Sequence, residues 1–455
     1  MSTKHVLPLA LAAALMTGCS GTNAGAPAVS PQFQPAAFAG NGLSQKTAKI
    51  KHIVLLVQEN RSFDNLFATF PGADGATTGM RHSGKIIPLA KHALSSLDVS
   101  HDWTTYVTDY DGGKMDGFDL STFIHSTKKA GTYPYQYVNP SQIQSYWTMA
   151  QQYALADHMF QTQGSGSFTA HQDLIAGATI INSTQSLIDT PSSGPWGCDA
   201  PPSTKTSVLT TTGQYLRNKG PFPCLTYPTG TMRDLLDAKS VSWKYYAPPY
   251  KAGGVGGLWN AFAAIQAVRQ GPEWATNIST PESNIFNDIT NSSLPAVSWV
   301  IPDQPESDHP ADNHTPDQGP AWIASVVNAI GGSSYWNSTA IVVVWDDWGG
   351  FYDHVPPPLL DNAGGLGFRV PMIVVSPYVP AGTISHTQYE FGSILKFIEE
   401  TFGLGSLGTT DARATSIGNI FNFKQSPRNF TPIPAQRSRE YFLHQRPSGQ
   451  PIDTE

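Results

Sequence analysis

The sequence predicts an α/β fold in which helices cover both faces of a mostly parallel sheet. Two observations carry this prediction. Several short apolar runs are continuous rather than alternating, as expected for strands buried on both faces, and segments with a helical pattern separate them. The chain has 455 residues, and a single large domain is favoured over the roughly two to four domains that length alone suggests.

The elements follow from these runs and from the patterns between them. The apolar runs predict strands at 53–57, 242–246, 296–301, 340–345 and 371–375. The intervening patterns predict helices at 141–153, 170–178, 258–269, 320–330 and 391–402. After Phe67 no run is apolar enough to cross a membrane.

The two ends of the chain have a different composition. Residues 1–19 have the order of a signal peptide, with Lys4 and His5 before an apolar run too short to span a bilayer. The end of this segment resembles a bacterial lipobox, which predicts lipidation of Cys19. Residues 20–49 read as a flexible tether, 50–424 as the folded domain, and the Pro-, Arg- and Gln-rich segment 425–455 as a surface coil. These features predict a bacterial protein that is exported, either anchored by lipid in the periplasm or secreted.

Charge and cysteine content restrict the partners and the compartment. The net charge of -7 and the absence of a basic stripe in the sequence argue against nucleic acid, because phosphate neutralisation needs a basic surface. With Cys19 assigned to the lipid, Cys198 and Cys224 remain as a pair. In an oxidising compartment this pair predicts a disulfide, and two unrelated buried thiols are the alternative.

Two of the predicted strands end in oxygen-bearing side chains. The first strand is followed by Glu59 and Asn60, and the fourth by Asp346 and Asp347. Open α/β sheets bind ligands at the carboxyl ends of their strands, and two adjacent carboxylates repel each other unless a cation or a shared proton compensates them. The pattern therefore predicts a metal site, provided that the chain turns after Asp347, as the following Gly-Gly pair permits. Solvated polar turns are the alternative.

A Gly- and Ser-rich loop leads into the helix predicted near Thr169. Ser167 would lie at the N-terminus of this helix, where free N–H groups and the helix dipole favour a phosphate. A serine beside a metal ion is a competent nucleophile. An ordinary helix cap is the alternative for Ser167 or Thr169. His171 is expected to orient the loop.

Three histidines lie in polar loops near acidic residues: His101, His309 and His354. Such histidines can stabilise phosphoryl oxygens or protonate a leaving group. Surface histidines without a function are the alternative reading.

In combination these segments resemble the bacterial phosphoesterase family of acid phosphatases and phosphatidylcholine-cleaving phospholipases C. The resemblance spans about 52–403 and is carried by QENRSFDN, HDW with DGGKMDGF, GSGSFTAH, SDHP and WDDWGGFYDHVPPP. It implies an alkaline-phosphatase-like three-layer sandwich. Thr169 and Ala170 replace the Pro and Asn of many phospholipase members, and Asp347 replaces a Glu that many members have.

The resemblance also implies roles for individual residues. The implied metal ligands are Glu59, Asn60, Asp346, Asp347 and Ser167. The implied catalytic residues are Ser167 as phosphoryl acceptor, His101 and His309 at the phosphoryl group, and Asp353 and His354 in the turn that borders the site.

These observations predict a metal-dependent phosphoester hydrolase with a phosphoserine intermediate. The prediction is a single divalent ion. Its oxygen ligands favour Ca²⁺, Mg²⁺ or Mn²⁺, and Zn²⁺ is a further option. Phosphomonoesters are favoured as substrates because many phospholipases C of this family carry extra C-terminal domains. A phospholipase C acting on phosphatidylcholine-type lipids is the alternative, with Trp103, Trp348 and Tyr352 as candidates to border a lipid subsite. A surface lipoprotein that binds a ligand without turnover is the hypothesis from another class.

Overall fold

The computed structural model describes residues 49–250, 257–310, 317–360 and 365–449. The predicted signal segment, Cys19 and nearly all of the tether lie outside these ranges. Within them, no helix is both long enough and apolar enough to span a bilayer.

Short strands and helices alternate along the described chain. The strands are β1 (His52–Gln58), β2 (Thr78–Met80), β3 (Ile86–Pro88), β4 (Ala90–His92), β5 (Gln136–Val138), β6 (Ala154–Ala156), β7 (Met159–Phe160), β8 (Ile180–Asn182), β9 (Gln185–Ile188), β10 (Ser207–Thr210), β11 (Tyr215–Leu216), β12 (Trp243–Tyr246), β13 (Ile278–Ser279), β14 (Val297–Val300), β15 (Thr339–Trp345), β16 (Met372–Val375), β17 (Thr383–Ser385) and β18 (Tyr389–Glu390). The α-helices are α1 (Phe63–Phe67), α2 (Trp103–Tyr110), α3 (Gln144–Gln152), α4 (Ser167–Ala176), α5 (Met232–Ala238), α6 (Gln266–Arg269), α7 (Glu273–Thr276), α8 (Asn284–Thr290), α9 (Gln318–Gly331), α10 (Phe391–Phe402), α11 (Thr410–Arg413) and α12 (Arg439–His444).

The largest sheet in the described part has eight strands in the order β13-β12-β14-β1-β15-β16-β6-β17. Its neighbouring strands are parallel except at β16, which runs antiparallel to β15 and to β6. Strand β1 pairs with β15 over its whole length, ending with Gln58 opposite Trp345. The residues that follow these two strands therefore emerge side by side at one edge of the sheet.

Both faces of this sheet are covered. Every residue of β15 is buried, and in β1 every residue except His52 is buried. Because successive side chains of a strand point to opposite faces, continuous burial requires packing on both sides. Each buried Val, Ile or Leu contributes about 1.5–3 kcal/mol, and helices such as α3 and α9 pack against the central strands. The predicted α/β class with a mostly parallel central sheet is confirmed.

The five predicted strands correspond to β1, β12, β14, β15 and β16, and four predicted helices correspond to α3, α4, α9 and α10. The predicted helix at 258–269 is wrong. The chain instead forms a 3-10 turn at Ala261–Ala264, an extended residue at Ile265 and the short helix α6. The reason is a pairing with a distant segment: Leu225 N donates to Ala264 O at 2.6 Å, and Gln266 N donates to Leu225 O at 3.0 Å.

The segment after Gln425 was expected to be coil and contains helix α12. Phe442 on this helix is buried and packs edge-to-face on Trp322, with ring centroids 5.3 Å apart. Burial of this aromatic side chain anchors the helix to the rest of the fold. Elsewhere in the fold, a disulfide joins Cys198 and Cys224.

Candidate active site

Strand β1 delivers Glu59 and Asn60 to the edge of the sheet, and both side chains are fully buried. Asn60 has a left-handed backbone with φ of 57°, a conformation that Asn adopts more readily than most residues. Its N–H donates to Asp346 Oδ1 at 2.9 Å. A Cβ atom at Gly349 would lie 2.2 Å from Asn60 O, so only glycine allows this close approach of the two strand ends.

Strand β15 delivers Asp346 and Asp347, which are also fully buried. Asp346 Oδ1 accepts hydrogen bonds from the backbone N–H of Asn60 and, at 2.7 Å, of Asp347. Asp346 Oδ2 is buried and makes no hydrogen bond within the described chain. Asp347 Oδ1 accepts from Gly349 N at 2.7 Å, and Gly349 has φ of 61°. The chain thus turns at the Gly-Gly pair, as the sequence analysis requires for a shared ion.

Ser167 is the first residue of α4, and Gly166 occupies the N-cap position. The Ser167 hydroxyl lies 3.1 Å from Asp347 Oδ2 and 3.3 Å from Asn60 Oδ1. It is therefore directed at the carboxylates rather than at its own helix terminus. Thr169, the other candidate for a cap, donates to Ser165 Oγ at 2.7 Å.

His171 lies among the carboxylates, a position that its expected role in orienting the loop did not predict. Its Nε2 lies 2.8 Å from Glu59 Oε1 and 3.8 Å from Asp346 Oδ2. Burial lowers the pKa of His171 to about 4, so its imidazole is neutral near pH 7 and does not compensate the carboxylates. The spacing in the sequence could have indicated this position, because a residue four positions after Ser167 lies on the same face of the helix.

The two histidines predicted to contact the phosphoryl group meet at Asn60. Asn60 Nδ2 lies 2.8 Å from His101 Nε2 and 3.2 Å from His309 Nε2. Nδ1 of each imidazole lies next to a backbone carbonyl, Val99 O at 2.7 Å for His101 and Pro310 O at 3.0 Å for His309. Each Nδ1 therefore carries a proton, and each neutral Nε2 accepts a hydrogen bond from the Asn60 amide.

This assignment fixes the orientation of the Asn60 amide. Its Oδ1 then lies 3.2 Å from Glu59 Oε2 and 3.3 Å from Asp346 Oδ1, so oxygen faces oxygen. The opposite orientation would relieve these contacts, but it would require Nε2 and Nδ1 of both imidazoles to be protonated at once. A buried imidazolium is costly unless a carboxylate pairs closely with it, and His101 Nε2 lies 4.0 Å from Asp347 Oδ2.

The donor set fits a divalent cation. Burial and then the carboxylates of Asp346 and Asp347 raise the pKa of Glu59 well above its usual range. Carboxylate and amide oxygens with one hydroxyl are the ligands of hard cations, and the unbonded Asp346 Oδ2 is free to bind one. Glu59, Asn60, Ser167, Asp346 and Asp347 would hold the ion. His171 offers a further nitrogen ligand beside Glu59 and Asp346.

Two tryptophans pack against the active-site histidines. The ring of Trp348 lies 6.0 Å from that of His101, and the ring of Trp259 lies 5.8 Å from that of His309. Both indoles are fully buried, so they hold the imidazoles and exclude water from their faces. Tyr352 packs in an aromatic cluster with Phe118 and Tyr135, and Trp103 stacks on Tyr106.

Asp353 and His354 lie in a second group of ionised side chains around Arg369. Asp353 Oδ1 accepts from Arg369 Nε at 2.8 Å, and His354 Nδ1 lies 2.7 Å from Asp64 Oδ2. Arg369 is fully buried and also lies 3.4 Å from Asp64. The catalytic role of Asp353 and His354 therefore stays a prediction, whereas the other predicted site residues converge on Asn60.

Comparisons with known proteins identify the family of this chain. Residues 50–405 match the model of the Phosphoesterase family. Phospholipase C A of Mycobacterium tuberculosis is 26% identical over 445 residues, covering 84% of this chain and 79% of that protein. The non-hemolytic phospholipase C of Pseudomonas aeruginosa is 25% identical over 438 residues, covering 84% and 58%. A solved protein of the alkaline phosphatase superfamily from Vibrio parahaemolyticus has a TM-score of 0.37 at 11% identity, covering 79% of this chain and 69% of that one.

Proposed function

Because the chain belongs to the phosphoesterase family and hydrolyses phosphoric esters, we propose that Ser167 accepts the phosphoryl group and that water then releases it. The observation that carries this proposal is the position of the Ser167 hydroxyl. It lies 3.1 Å from Asp347 Oδ2, at the N-terminus of α4 and among buried oxygens that fit one divalent cation. Family membership also favours an enzyme over a lipoprotein that only binds a ligand.

Each side chain has a distinct task in this mechanism. A bound cation would lower the pKa of the Ser167 hydroxyl. Asp347 would accept the serine proton, and the N-terminus of α4 would bind phosphoryl oxygens. His101 and His309 keep Nδ1 bonded to the backbone, so Nε2 is the nitrogen that exchanges a proton with the substrate. We assign protonation of the leaving alcohol to one of them, which must first take up a proton from solvent on Nε2.

A pair of hydroxyl deletions on α4 tests the role of Ser167. Ser167→Ala should abolish release of product from any phosphoester, because the acceptor oxygen is gone. Thr169→Val is the matched control, since its hydroxyl bonds to Ser165 and Gly166 instead of the carboxylates. This control should retain turnover. Wild-type turnover by a folded Ser167→Ala protein would exclude the phosphoserine mechanism.

We further propose that the substrate is a phospholipid cleaved on the glycerol side of its phosphate. Similarity to proteins named phospholipase C, over 84% of this chain, supports this class. Phosphomonoesters were favoured because many phospholipases C of this family carry extra C-terminal domains, but this chain matches the Mycobacterium relative over 79% of that protein's length.

Parallel assays separate the two substrate classes. Phosphatidylcholine vesicles should yield phosphocholine and diacylglycerol, and p-nitrophenylphosphorylcholine should yield p-nitrophenol. If p-nitrophenyl phosphate is the only one of the three that is hydrolysed, the protein is a phosphomonoesterase and the lipid assignment is wrong. The Ser167→Ala variant serves as the blank in each assay.

An exported protein held by a lipid on Cys19 is our proposal for localisation. It rests on the composition of residues 1–19. Cys19→Ala should move the protein from the membrane fraction to the soluble exported fraction, and wild-type fractionation of this variant would refute the anchor.

A further inference from the structure

Arg61 directly follows Asn60, the residue at which the two active-site histidines meet, and its side chain is fully buried. Burial lowers the pKa of Arg61 to about 10, so its guanidinium is charged near pH 7. A charge taken out of water is costly unless its donors find partners. The partners of this guanidinium therefore indicate what the residue does.

The guanidinium is bonded to the loop that carries His309. Its Nε and Nη2 donate to the same backbone oxygen, Asp308 O, at 2.9 and 2.7 Å. Asp308 has a left-handed backbone with φ of 66°, a conformation that persists only where its surroundings hold it. Tyr146 Oη donates to Asp308 Oδ2 at 2.6 Å. The residue before His309 is thus fixed through both its carbonyl oxygen and its side chain.

The same guanidinium is bonded to the loop that leads to His101. Nη2 donates to Leu94 O at 2.6 Å, and Nη1 donates to Ser96 Oγ at 3.1 Å. Further along this loop, Asp98 Oδ1 lies 3.8 Å from His101 Nδ1. Nη1 also donates to Asn65 Oδ1 at 3.3 Å, so every N–H of the guanidinium is used. One buried charge therefore joins both histidine loops.

We infer that Arg61 is a positioning residue for proton transfer to the leaving alcohol. It holds the two loops so that Nε2 of His101 and Nε2 of His309 keep their places at the Asn60 amide. The inference rests on the proposed function, in which one of these histidines protonates the leaving group. A displacement of about 1 Å can cost about 100-fold in rate. Lysine cannot replace this arginine, because an ammonium lacks the planar fork of donors.

The dependence of the rate on the leaving group separates this role from a merely structural one. p-Nitrophenolate is a weak base that leaves without a proton, whereas the alkoxide of a glycerol ester needs one. Esters of both kinds would react at the same ion and at the same Ser167. Misplaced histidines should therefore slow the alkyl ester more, and a loss of folded protein should affect both esters equally.

Arg61→Lys is tested on two soluble phosphocholine esters, p-nitrophenylphosphorylcholine and dihexanoyl phosphatidylcholine below its micellar concentration. The kcat/KM should fall about 100-fold for the lipid and less than about tenfold for the aryl ester. Arg428→Lys is the matched control, since Arg428 Nη1 also bonds two backbone oxygens, Gln152 O at 2.8 Å and Val379 O at 3.0 Å. The control should leave the ratio of the two kcat/KM values unchanged. If the wild type hydrolyses only phosphomonoesters, p-nitrophenyl phosphate and glycerol 2-phosphate form the equivalent pair.

A second variant guards against a failure of Arg61→Lys to fold, which circular dichroism would show. Tyr146→Phe removes only the hydroxyl that bonds to Asp308, and it should cause a smaller loss that is again greater for the alkyl ester. An equal loss on both esters by folded Arg61→Lys would overturn the inference. Where that variant does not fold, an unchanged ratio for Tyr146→Phe would overturn it. Ser167→Ala reports on the proposed function separately, because it should abolish both reactions whatever the role of Arg61.

Discussion

Replacing Asp346 by Asn removes one charge from the ion site with almost no change in shape. In the native side chain, Oδ1 accepts two backbone N–H bonds and Oδ2 makes no hydrogen bond. The Asn oxygen can keep both backbone bonds, and its NH₂ group then faces Glu59. The substitution should therefore stabilise the metal-free protein and weaken the metal-bound one.

The size of both effects follows from the structure. Ligand atoms of Glu59, Asp346 and His171 lie within 4.8 Å of one another. Two charges at that distance repel by about 3.5 kcal/mol at an effective dielectric constant of about 20. Part of this repulsion is already relieved because the pKa of Glu59 is raised, so about 1–3 kcal/mol should be recovered. With an unfolding entropy near 0.8 kcal/mol/K for about 400 residues, the melting temperature should rise by about 1–4 °C.

Metal affinity should fall in the same variant. Loss of an outer partner of a ligand lowers metal affinity about 10–100-fold, so loss of a direct anionic ligand should lower it by at least about 100-fold. Thermal melts in chelator and in excess metal, with a metal titration, measure both effects. Asp173→Asn, at a buried carboxyl group on α4, is the control for an Asp-to-Asn change outside the ion site and should leave metal affinity unchanged. Equal destabilisation of the metal-free and metal-bound forms by Asp346→Asn would refute the ion site.

Three further predictions concern pH, the disulfide and the second ionised group. Since burial and neighbouring carboxylates raise the pKa of Glu59, protons compete with the ion. Metal affinity should fall once the pH is below the raised pKa of Glu59, by up to tenfold per pH unit for each proton that metal binding releases. A metal affinity that stays constant from pH 8 to 5 would contradict this. Replacing Cys198 and Cys224 by Ser should lower the free energy of unfolding by about 3 kcal/mol, measured in urea, and an unchanged midpoint would contradict it. Arg369→Met leaves the buried carboxylate of Asp353 without its partner and should cost about 3–5 kcal/mol, so a loss below about 1 kcal/mol in the same assay would be inconsistent with a buried ion pair.

The sequence predicts the parts of this protein that depend on local pattern. Continuous apolar runs identified the central strands, and the polar residues after β1 and β15 converge because parallel neighbours end at the same edge of a sheet. The Gly-Gly pair after Asp347 indicated the turn that brings both carboxylates to one place. These inferences need only the periodicity of a strand and the conformational freedom of glycine.

Contacts between distant segments could not be predicted from local sequence patterns. Residues 258–269 do not form the predicted helix because their backbone pairs with Leu225. No local sequence pattern indicates such a partner. His171 was assigned to loop orientation because its proximity to Glu59 depends on how α4 packs against β1. The group around Arg369 joins residues far apart in the chain. From the sequence alone, a charged side chain whose partner is unknown is expected to lie in solvent.

Trapping of the covalent intermediate tests the central claim most directly. Acid quenching of the enzyme within its first turnovers on p-nitrophenylphosphorylcholine, followed by peptide mass spectrometry, should show phosphocholine on Ser167. Thr169→Val should give the same adduct. An unmodified Ser167 during active turnover, or an adduct on His101 or His309 instead, would contradict the mechanism.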